Sequence, residues 1–256
     1  MRNKSGTQSI SCFFPAFNDG ASVGQLVADA LTVLPGLTAD YEVIIVDDGS
    51  TDDTAEVLNR LVATNQHVRV VRHETNRGYG AALRSGFRNA TKDLVFYTDG
   101  DGQYDVRQLS SLHAFLADGV DVINGYKTSR SDAAHRRLLG GLYNRLARLL
   151  FDLPIRDVDC DFRLLRRRAV DGLNLTVSSG AICVQLVHQL ATSGAVFKEM
   201  PVTHLPRVNG RSQFFTPRRV TRTAVDLFSV WVQSVLVPFL VRLPHKTSEG
   251  NGFGRR

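Results

Sequence analysis

The sequence predicts an α/β fold in which a mostly parallel central sheet is flanked by helices, with further apolar helices toward the C-terminus. Two observations predict this fold. Short runs rich in β-branched or aromatic residues alternate with helical segments through the first half of the 256-residue chain, and such alternation produces right-handed βαβ units. Four of the loops after these runs are rich in Asp, Gly or Asn, and sheets of this class bind ligands beyond the carboxyl ends of their strands.

The strands and helices of the first half are predicted from length, flanking turn residues and capping residues. Five apolar runs fit strands: Ser9–Phe14, Glu42–Val46, Val68–Arg72, Leu94–Thr98 and Asp121–Asn124. Four segments between them fit helices: Ser22–Leu34, a helix capped by Thr51 or Asp52 that ends near Asn65, Gly80–Ala90 and Gln108–Ala117. The strand-end loops that we expect at one edge of the sheet are Pro15–Asp19, Asp47–Asp52, Asn76–Gly80 and Asp99–Asp105.

The second half is less regular. We expect a basic amphipathic helix over Arg136–Phe151 that turns four leucines toward the core, namely Leu138, Leu142, Leu146 and Leu149. The remaining predicted elements are a helix over Ala181–Ser193, a strand over Ala195–Thr203, a loop over Arg207–Phe215 and one or two apolar helices over Thr216–Val241.

The most apolar stretch of the chain, Ala224–Leu240, carries Asp226 and Gln233 and is interrupted by Pro238. It therefore falls short of the roughly 18–20 uninterrupted apolar residues of a typical span. We interpret it as a buried or interfacial helix. The expected organisation is a flexible N-terminus over 1–8, one domain over 9–215, an apolar helical extension over 216–245 and a disordered tail over 246–256.

The net charge of +6 is concentrated in one segment. Between Lys127 and Arg168 there are 11 Lys or Arg and 5 Asp, a balance of 11 − 5 = +6, so the rest of the chain sums to zero. A local basic segment predicts an anionic partner, which could be nucleic acid, phosphates or an anionic membrane. The three cysteines are widely spaced, which favours buried free thiols in a reducing compartment over disulfides or zinc.

The sequence Asp99-Gly100-Asp101-Gly102-Gln103 directly follows a predicted apolar strand. Two carboxylates one residue apart on such a loop can converge on one hard divalent cation. Mg²⁺ or Mn²⁺ commonly takes one or two carboxylates together with substrate phosphate oxygens. The motif therefore predicts a cation that neutralises the charge on a departing nucleotide diphosphate.

Two further motifs point to a nucleotide. In Asp47-Asp48-Gly49-Ser50, the glycine permits a tight turn, and a carboxylate can accept hydrogen bonds from a base or a ribose. In Asn76-Arg77-Gly78-Tyr79-Gly80, glycines open a helix whose N-terminus suits an anion. The complete dinucleotide-binding pattern is absent, because Leu83 stands where its last glycine belongs.

Four motifs resemble, in their order along the chain, the signatures of family 2 inverting glycosyltransferases with the GT-A fold. They are Pro15-Ala16-Phe17-Asn18-Asp19, VDDGSTD, NRGYGAA and TDGDGQYD. The later segments resemble the polyprenol-phosphate branch of that family, which includes the dolichol-phosphate mannosyltransferases. These segments are Gly125-Tyr126-Lys127, DVDCDFR from Asp157 to Arg163, and the stretch from Glu199 to Ser212. The resemblance covers about residues 9–215. It departs from the family at Asp161, where Gly is usual, and at Gln185, where Glu is common.

The resemblance implies a role for each motif. The nucleoside pocket would be lined by Pro15, Phe17, Asp19 and Asp47, with Asp48 and Gly78 also on the donor side. The cation and the donor diphosphate would be held by Asp99, Asp101 and Gln103. A mobile loop closing over the phosphates would contain Arg207, Arg211 and Ser212. The acceptor phosphate would be received by Lys127, Arg130, Arg136 and Arg137.

The function expected from this sequence is transfer of a hexose from a nucleotide diphosphate sugar to a polyprenyl phosphate at the cytoplasmic face of a membrane. One alternative is a saccharide hydroxyl acceptor, which would need a general base, with Asp157 or Asp159 as candidates. Another is a non-catalytic nucleotide-sugar-binding protein, favoured only by Asp161 and Gln185. A nucleic-acid-binding module would explain the positive charge and leave the acidic strand ends unexplained. The sequence leaves the oligomeric state open.

Overall fold

A computed structural model describes residues 8–129, 134–206 and 216–242 of the chain. Its centre is a sheet of seven described strands in the order β3-β2-β1-β4-β6-β5-β7. The strands are β1 Ile10–Ala16, β2 Tyr41–Asp47, β3 Val68–Arg72, β4 Leu94–Thr98, β5 Val122–Ser129, β6 Phe162–Arg166 and β7 Phe197–Thr203.

The sheet is parallel except at one strand. Strands β1 to β4 pair in parallel, as do β5 and β7, whereas β6 lies antiparallel between β4 and β5. The prediction of a mostly parallel α/β sheet is confirmed. Strand β6 was not predicted, and β5 continues to Ser129, five residues beyond its predicted end at Asn124. The extension carries Tyr126 and Lys127 to the edge where the functional loops lie.

The helices cover both faces of this sheet. They are α1 Gly20–Val33, α2 Thr54–Thr64, α3 Tyr79–Asn89, α4 Leu109–Phe115, α5 Ala134–Phe151, α6 Arg167–Val170, α7 Ile182–Thr192, α8 Pro217–Trp231 and α9 Val237–Arg242. Short 3₁₀ turns occupy Leu34–Gly36 and Val106–Gln108, and a π-helical turn over Val232–Leu236 joins α8 to α9.

Alternate strand residues pack into two hydrophobic layers. Phe14 faces the layer that contains α1 and α4, whereas its neighbour Phe13 faces the layer that contains α3 and α7. This is the side-chain alternation of a strand covered on both faces. The cysteines Cys12, Cys160 and Cys183 are all buried free thiols, as predicted.

The N-caps predicted for the first two helices differ from the observed ones, by three residues in α1 and by one or two residues in α2. Helix α1 begins at Gly20, with Asp19 at its N-cap, and the Ser22 hydroxyl instead donates to the Gly100 carbonyl at 2.9 Å. Helix α2 begins at Thr54 rather than after Thr51 or Asp52. The tertiary contact of Ser22 with Gly100 cannot be read from a capping pattern, whereas at α2 the Asp52 carboxylate does accept from the N–H of the first helical residue, Thr54, at 3.0 Å.

The predicted orientation of the leucines on α5 was also wrong. Leu142 is 55% exposed and Leu149 79% exposed, and Leu146 is exposed as well. The side chain of Leu138 lies outside the described residues. The face of α5 that packs on the domain carries Asn144, Ala147 and Phe151 instead. Helix α5 therefore presents an unpacked apolar face next to its arginines.

Residues Pro217–Val241 form a helix long and apolar enough to cross a bilayer, and only 6% of its most apolar window is buried. Length and composition alone are weak evidence of a span. The interpretation as a buried helix was wrong, and an interfacial helix remains a proposal. The π turn ends with a bond from the Val237 N–H to the Val232 carbonyl. Pro238 follows directly, and because proline lacks an N–H, it cannot continue the α-helical ladder.

Candidate active site

The carboxyl ends of the first strands bring the four predicted loops together. The Gly100 N–H donates to the Pro15 carbonyl at 3.1 Å, which joins the loops after β1 and β4. The Asn18 side-chain oxygen accepts from the Thr51 N–H at 2.8 Å, which joins the loops after β1 and β2. These motifs, separated in sequence, thus share one edge of the sheet.

The residues expected around the nucleoside are partly used to shape their own turns. The Asp19 carboxylate accepts from the Phe17 N–H at 3.0 Å. The Asp47 carboxylate accepts from the Ser50 N–H at 3.0 Å and lies 3.8 Å from Arg72 Nε. Pro15 is buried within β1, and Phe17 is half-buried directly after that strand. The ends of β1 and β2 therefore form one continuous surface, and hydrogen bonds within and between their loops hold it in place.

Asp48 holds the loop after β3. Its Oδ1 accepts from His73 Nδ1 at 2.6 Å and from the Arg77 N–H at 2.9 Å, and its Oδ2 accepts from the Gly78 N–H at 2.9 Å. The side chain is buried. These bonds make Asp48 an anchor for the Asn76–Gly80 loop, and the expected contact from this carboxylate to a donor stays a prediction.

Two glycines are required where these loops approach each other. Gly49 has φ +73°, and a Cβ there would lie 2.5 Å from the carbonyl carbon of Thr75. Gly78 has φ +97°, and a Cβ there would lie 2.5 Å from the Ser178 carbonyl oxygen. Both positions combine a left-handed backbone with a close approach, so only glycine fits without a shift.

The first carboxylate after β4, Asp99, is contacted by a residue of the glycine motif. The Tyr79 hydroxyl donates to Asp99 Oδ1 at 2.7 Å. Burial raises the pKa of Asp99 well above its ordinary value, and the carboxylates of Asp161 and Asp101 raise it further, whereas Lys127 opposes them. Asp99 is therefore a buried carboxyl group with two further acidic side chains near it.

The second carboxylate, Asp101, forms a hydrogen bond with the backbone of Gln103 in the same motif. Asp101 Oδ1 accepts from the Gln103 N–H at 3.0 Å. Gln103 in turn donates from Nε2 to the Leu205 carbonyl at 3.2 Å, and its carbonyl accepts from the Leu205 N–H at 2.7 Å. This links the acidic motif to the chain just before Arg207, Arg211 and Ser212, which lie outside the described residues.

The donor set fits Mg²⁺ or Mn²⁺ if a phosphate completes it. Within the described ranges, no group of three or more His, Cys, Asp or Glu could hold a metal by itself. Asp99 and Asp101 supply two carboxylates, and Mg²⁺ is usually bound by one or two carboxylates together with substrate phosphates and waters. Asp161 and Asp101 both lie near enough to Asp99 to act on it electrostatically, and a bound cation would be attracted to such a group of carboxylates.

Asp161, which departs from the family pattern, is paired inside the protein. Arg163 donates to Asp161 Oδ1 at 2.7 Å and to Asn124 Oδ1 at 2.5 Å, and it also contacts the Tyr97 hydroxyl. Asp161 also accepts from the Cys183 thiol at 3.2 Å. Because a buried carboxylate is tolerated when it is paired and hydrogen-bonded, Asp161 does not by itself argue for lost activity.

The other departure, Gln185, is also explained by local structure. Its Oε1 accepts from the Thr176 N–H at 2.9 Å, and its Nε2 donates to Thr176 Oγ1 at 2.9 Å. The side chain is buried and orders the segment before α7. The non-catalytic alternative therefore receives no support from either residue.

Asp157 lies in a polar cluster under α5. Its Oδ1 accepts from Asn144 Nδ2 at 3.2 Å, and its Oδ2 accepts from the Lys127 N–H at 3.3 Å. Asn144 also donates to Asp159 Oδ2 at 3.3 Å and accepts from the Val158 N–H at 2.7 Å. These contacts show Asp157 as a residue that joins the end of β5 to α5.

A cleft of about 350 Å³ opens beside this cluster. It is lined by Tyr126, Lys127, Gly141, Asn144, Arg145, Arg148, Arg156 and Asp157. Four of these residues are cations and one is an anion. Arg156 stacks 4.4 Å from the centre of the Tyr126 ring and bonds to Glu199 at 3.1 Å. The cleft can therefore attract and orient an anion, and Lys127 in its lining is near enough to Asp99 to offset a small part of the rise in the pKa of that carboxyl group.

The predicted acceptor cations are only partly visible in this cleft. Lys127 lines it, and its Nζ donates to the Asp159 carbonyl at 2.8 Å. Arg130 lies outside the described residues. Arg136 and Arg137 lie near the start of α5, and their side chains also lie outside the described part.

The structure places four residues at these sites that were not predicted from the sequence. They are Tyr79, Arg145, Arg148 and Arg156. A signal for two of them was present: Arg145 and Arg148 flank the inward face of α5 around the polar Asn144, and residues three apart share a helix face. For Tyr79, only the fold shows which carboxylate its hydroxyl reaches.

Comparison with solved structures gives the same fold. The chain is similar to glucosyl-3-phosphoglycerate synthase from Mycobacterium tuberculosis in complex with Mn²⁺, UDP and phosphoglyceric acid, with 18% identity over 88% of this chain and 78% of that chain and a TM-score of 0.65. It is also similar to the mannosyltransferase PcManGT from Pyrobaculum calidifontis in complex with GDP-Man and Mn²⁺, with 20% identity over 90% of this chain and 65% of that chain and a TM-score of 0.65.

The sheet order, the flanking helices and these similarities identify the GT-A nucleotide-diphospho-sugar transferase fold, as predicted. The sequence profile described as Glycosyl transferase family 2 matches residues 11–173, which contain all four strand-end loops. The chain therefore belongs to glycosyl transferase family 2 and is a glycosyltransferase.

Proposed function

We propose that this enzyme transfers a hexose, with inversion, from a nucleotide diphosphate sugar to a polyprenyl phosphate of the dolichyl or undecaprenyl type. The reaction takes place at the cytoplasmic face of a membrane and uses Mg²⁺ or Mn²⁺. The observation that carries the proposal is the cation-lined cleft between the end of β5 and α5. The leucines of α5 beside this cleft are exposed. This assigns the enzyme to the polyprenol-phosphate branch that its later motifs resemble.

The donor class is supported by similar proteins and by this chain's own loops. Glucosyl-3-phosphoglycerate synthase was solved with Mn²⁺ and UDP-glucose, and the Pyrobaculum enzyme with GDP-Man and Mn²⁺. Here Asp99, Asp101 and Gln103 would hold the cation, which when bound neutralises charge on the departing diphosphate. The nucleoside would lie against Pro15, Phe17, Asp19 and Asp47, with the Asp48-anchored Gly78 loop beside it and Arg207, Arg211 and Ser212 closing over the phosphates.

The acceptor is proposed to be a phosphate because of the cations at the end of β5. Lys127, Arg145, Arg148 and Arg156 line one cleft, and Arg130, Arg136 and Arg137 follow the same strand in sequence. Charge-assisted hydrogen bonds from such side chains hold and orient a phosphate. Orientation of the attacking oxygen is itself a large part of the rate enhancement.

The chemistry requires little proton transfer from this acceptor. An oxygen of the acceptor phosphate forms a bond to the anomeric carbon while the bond from that carbon to the nucleotide diphosphate breaks. The phosphate oxygen is already ionised near neutral pH, so no base must remove a proton. This agrees with Asp157, whose two carboxylate oxygens accept from Asn144 and from the Lys127 N–H. Asp157 thus positions the backbone of Lys127 in this mechanism. A hydroxyl acceptor would in addition require a base to remove its proton.

A lipid acceptor is supported by the apolar surfaces next to the cleft. Leu142, Leu146 and Leu149 are exposed on α5, and Phe228 and Phe239 are exposed on the C-terminal helix. Arg218, Arg219 and Arg222 lie at the start of α8. Helices with one apolar face and flanking arginines bind the interface of anionic membranes. The extension at 216–245 would then hold the enzyme where its acceptor is found.

A second candidate is a soluble phosphorylated acceptor. The Mycobacterium tuberculosis synthase was solved in complex with phosphoglyceric acid. A cleft lined by arginines suits a small organic phosphate equally well. The exposed leucines of α5 favour the lipid, because a soluble acceptor gives no reason for leucines beside the cleft to remain exposed to water.

The test is initial rate with Mn²⁺, using UDP-glucose and GDP-mannose as donors against three acceptors. These are a short polyprenyl phosphate in vesicles, 3-phosphoglycerate and a neutral hexose. We expect transfer to the polyprenyl phosphate, and the double variant Arg145→Ala/Arg148→Ala should need roughly tenfold more of it for the same rate.

The matched control is Arg60→Ala/Arg88→Ala, which removes two exposed helical arginines outside the cleft and should leave acceptor use unchanged. Faster transfer to 3-phosphoglycerate would select the soluble phosphorylated acceptor. Faster transfer to the neutral hexose would reject a phosphate acceptor altogether.

A further inference from the structure

The hydrogen bond from Tyr79 to Asp99 connects two motifs that the proposed chemistry treats separately. Tyr79 begins α3 in the glycine-rich motif, and Asp99 is the first carboxylate of the acidic motif after β4. The 2.7 Å bond is made to Oδ1. The hydroxyl is the hydrogen-bond donor and the carboxylate oxygen is the acceptor.

The backbone around Tyr79 is held from both sides. On one side, Asp48 accepts from the N–H groups of Arg77 and Gly78, each at 2.9 Å. On the other, the Gly80 N–H donates to the Ser178 carbonyl at 3.0 Å. With the residues before and after it fixed, Tyr79 has little freedom to move away from Asp99.

Asp48 is fixed in turn by a histidine that reaches back to α3. His73 Nδ1 donates to Asp48 Oδ1 at 2.6 Å, and His73 Nε2 lies 2.9 Å from Ser85 Oγ, in the second turn of α3. Asp48, His73 and Ser85 are all buried. A continuous set of hydrogen bonds therefore runs from Ser85 through His73 and Asp48 to the loop that carries Tyr79.

We propose that Tyr79 is a positioning residue for the catalytic cation, and that Asp48 acts on the cation through it. The hydroxyl of Tyr79 fixes Asp99 by its Oδ1, so that the carboxylate is oriented before the cation and the nucleotide arrive. Partners of this kind, which hydrogen-bond a ligating side chain, typically change metal affinity by roughly 10- to 100-fold. The inference rests on the proposed function only in taking Asp99 as a cation ligand, and it is independent of the acceptor.

The experiment measures Mn²⁺ binding to the full chain from the loss of the free-ion electron paramagnetic resonance signal. Titrations are made with UDP present and are repeated with GDP. We expect Tyr79→Phe to weaken Mn²⁺ binding about tenfold or more, with a melting temperature close to that of the wild type because the ring still packs. Tyr41→Phe, which removes a hydroxyl from a ring stacked on His67 at the opposite end of β2 from the site, should bind Mn²⁺ as the wild type does.

A double-mutant cycle tests the part played by Asp48. Asp48→Asn keeps one acceptor oxygen of the two and should weaken Mn²⁺ binding in the wild-type background. In the Tyr79→Phe background the same change should have little further effect, because the two residues act through one contact. Independent, additive losses would overturn the role of Asp48.

Unchanged Mn²⁺ affinity in Tyr79→Phe would overturn the positioning role of Tyr79 and leave the hydroxyl as a packing contact. Failure of the proposed function has a different signature: the wild type would bind Mn²⁺ tightly and respond to Tyr79→Phe, yet transfer no sugar to a polyprenyl phosphate. If the wild type with nucleotide bound no Mn²⁺, both Asp99 as a ligand and Tyr79 as its positioner would be rejected.

Discussion

The sheet edge formed by the loops after β1, β2, β3 and β4, called the donor edge here because the donor is proposed to bind there, differs from the region around α5. The difference lies in how many of the polar and apolar side chains find partners within the protein. At the donor edge, buried carboxylates such as Asp48 accept several hydrogen bonds from neighbouring loops. Around α5, by contrast, Leu149 is exposed, and arginines line an open cleft. The donor edge is preorganised within the chain, whereas the α5 region leaves apolar and cationic side chains exposed.

The largest expected effect is at the donor edge. Asp101→Ala removes one of the two carboxylates proposed to hold the cation, and we expect sugar transfer to fall by about three orders of magnitude or more. Asp101 lies on a partly exposed loop, so the melting temperature should change little. Turnover with Mn²⁺ and thermal melting are the measurements, and near-normal turnover would contradict the assignment of Asp101 to the cation.

The next effect tests the exposed apolar faces. Leu149→Ser/Phe228→Ser changes two side chains that are 79% and 65% exposed, and we expect binding to vesicles with anionic lipid to fall roughly tenfold for each residue, since burying such a side chain is worth about 1.5–3 kcal/mol. Vesicle flotation at constant ionic strength measures it, and nucleotide binding should be unchanged.

Phe115→Ser is the matched control for this surface, because Phe115 is an exposed phenylalanine on α4. Its vesicle binding should equal that of the wild type. Equal loss of vesicle binding in both variants would show that the binding is not specific to α5 and α8. It would contradict a special role of the exposed apolar side chains of α5.

A smaller effect concerns the rigidity of the donor edge. Gly49→Ala places a Cβ 2.5 Å from the carbonyl carbon of Thr75 at φ +73°, and we expect the free energy of unfolding to fall by about 2 kcal/mol or more. Chemical denaturation measures this change. Gly119→Ala is the control, since Gly119 also has a positive φ but a Cβ there would meet no atom within 4 Å among the described residues. It should cost only about 1–2 kcal/mol, the cost of the left-handed backbone alone.

The smallest effect is expected on α5 and has the opposite sign. A Cβ at Gly141 would meet no atom within 4 Å in the described part of the chain, so Gly141→Ala should raise the free energy of unfolding by roughly 0.5–1 kcal/mol through helix propensity alone. Chemical denaturation again measures it. A clear loss of stability would mean that the exposed face of α5 is packed in solution.

The difference between the two regions also explains which predictions succeeded. Strands β3 and β4 were predicted with their observed ends, because each is a short apolar run between turn residues. The acidic and glycine motifs were placed correctly at the strand ends, because parallel strands align their carboxyl ends. The leucines of α5 were assigned to the core because periodicity shows that a helix has an apolar face and does not show what covers it.

Strand β6 was not predicted for a related reason. Its sequence, FRLLR, contains Arg163. An arginine ordinarily indicates an exposed position, so the sequence does not predict a buried strand here. Only the sheet shows that this guanidinium is paired with Asp161 and bonded to Asn124. The exposed, membrane-length helix at Pro217–Val241 likewise needed the structure, since composition does not distinguish a buried apolar helix from an unpacked one.

The sequence by itself determined the α/β class, the family and the position of the four strand-end loops that are proposed to bind the donor, because these depend on local patterns and on motifs that keep their order along the chain. The tertiary structure alone decided which side chains meet: Tyr79 with Asp99, Asp48 with the glycine loop, and Arg145, Arg148 and Arg156 around one cleft. These contacts join residues far apart in sequence, and their existence depends on how strands are ordered and helices are packed, which no local pattern encodes.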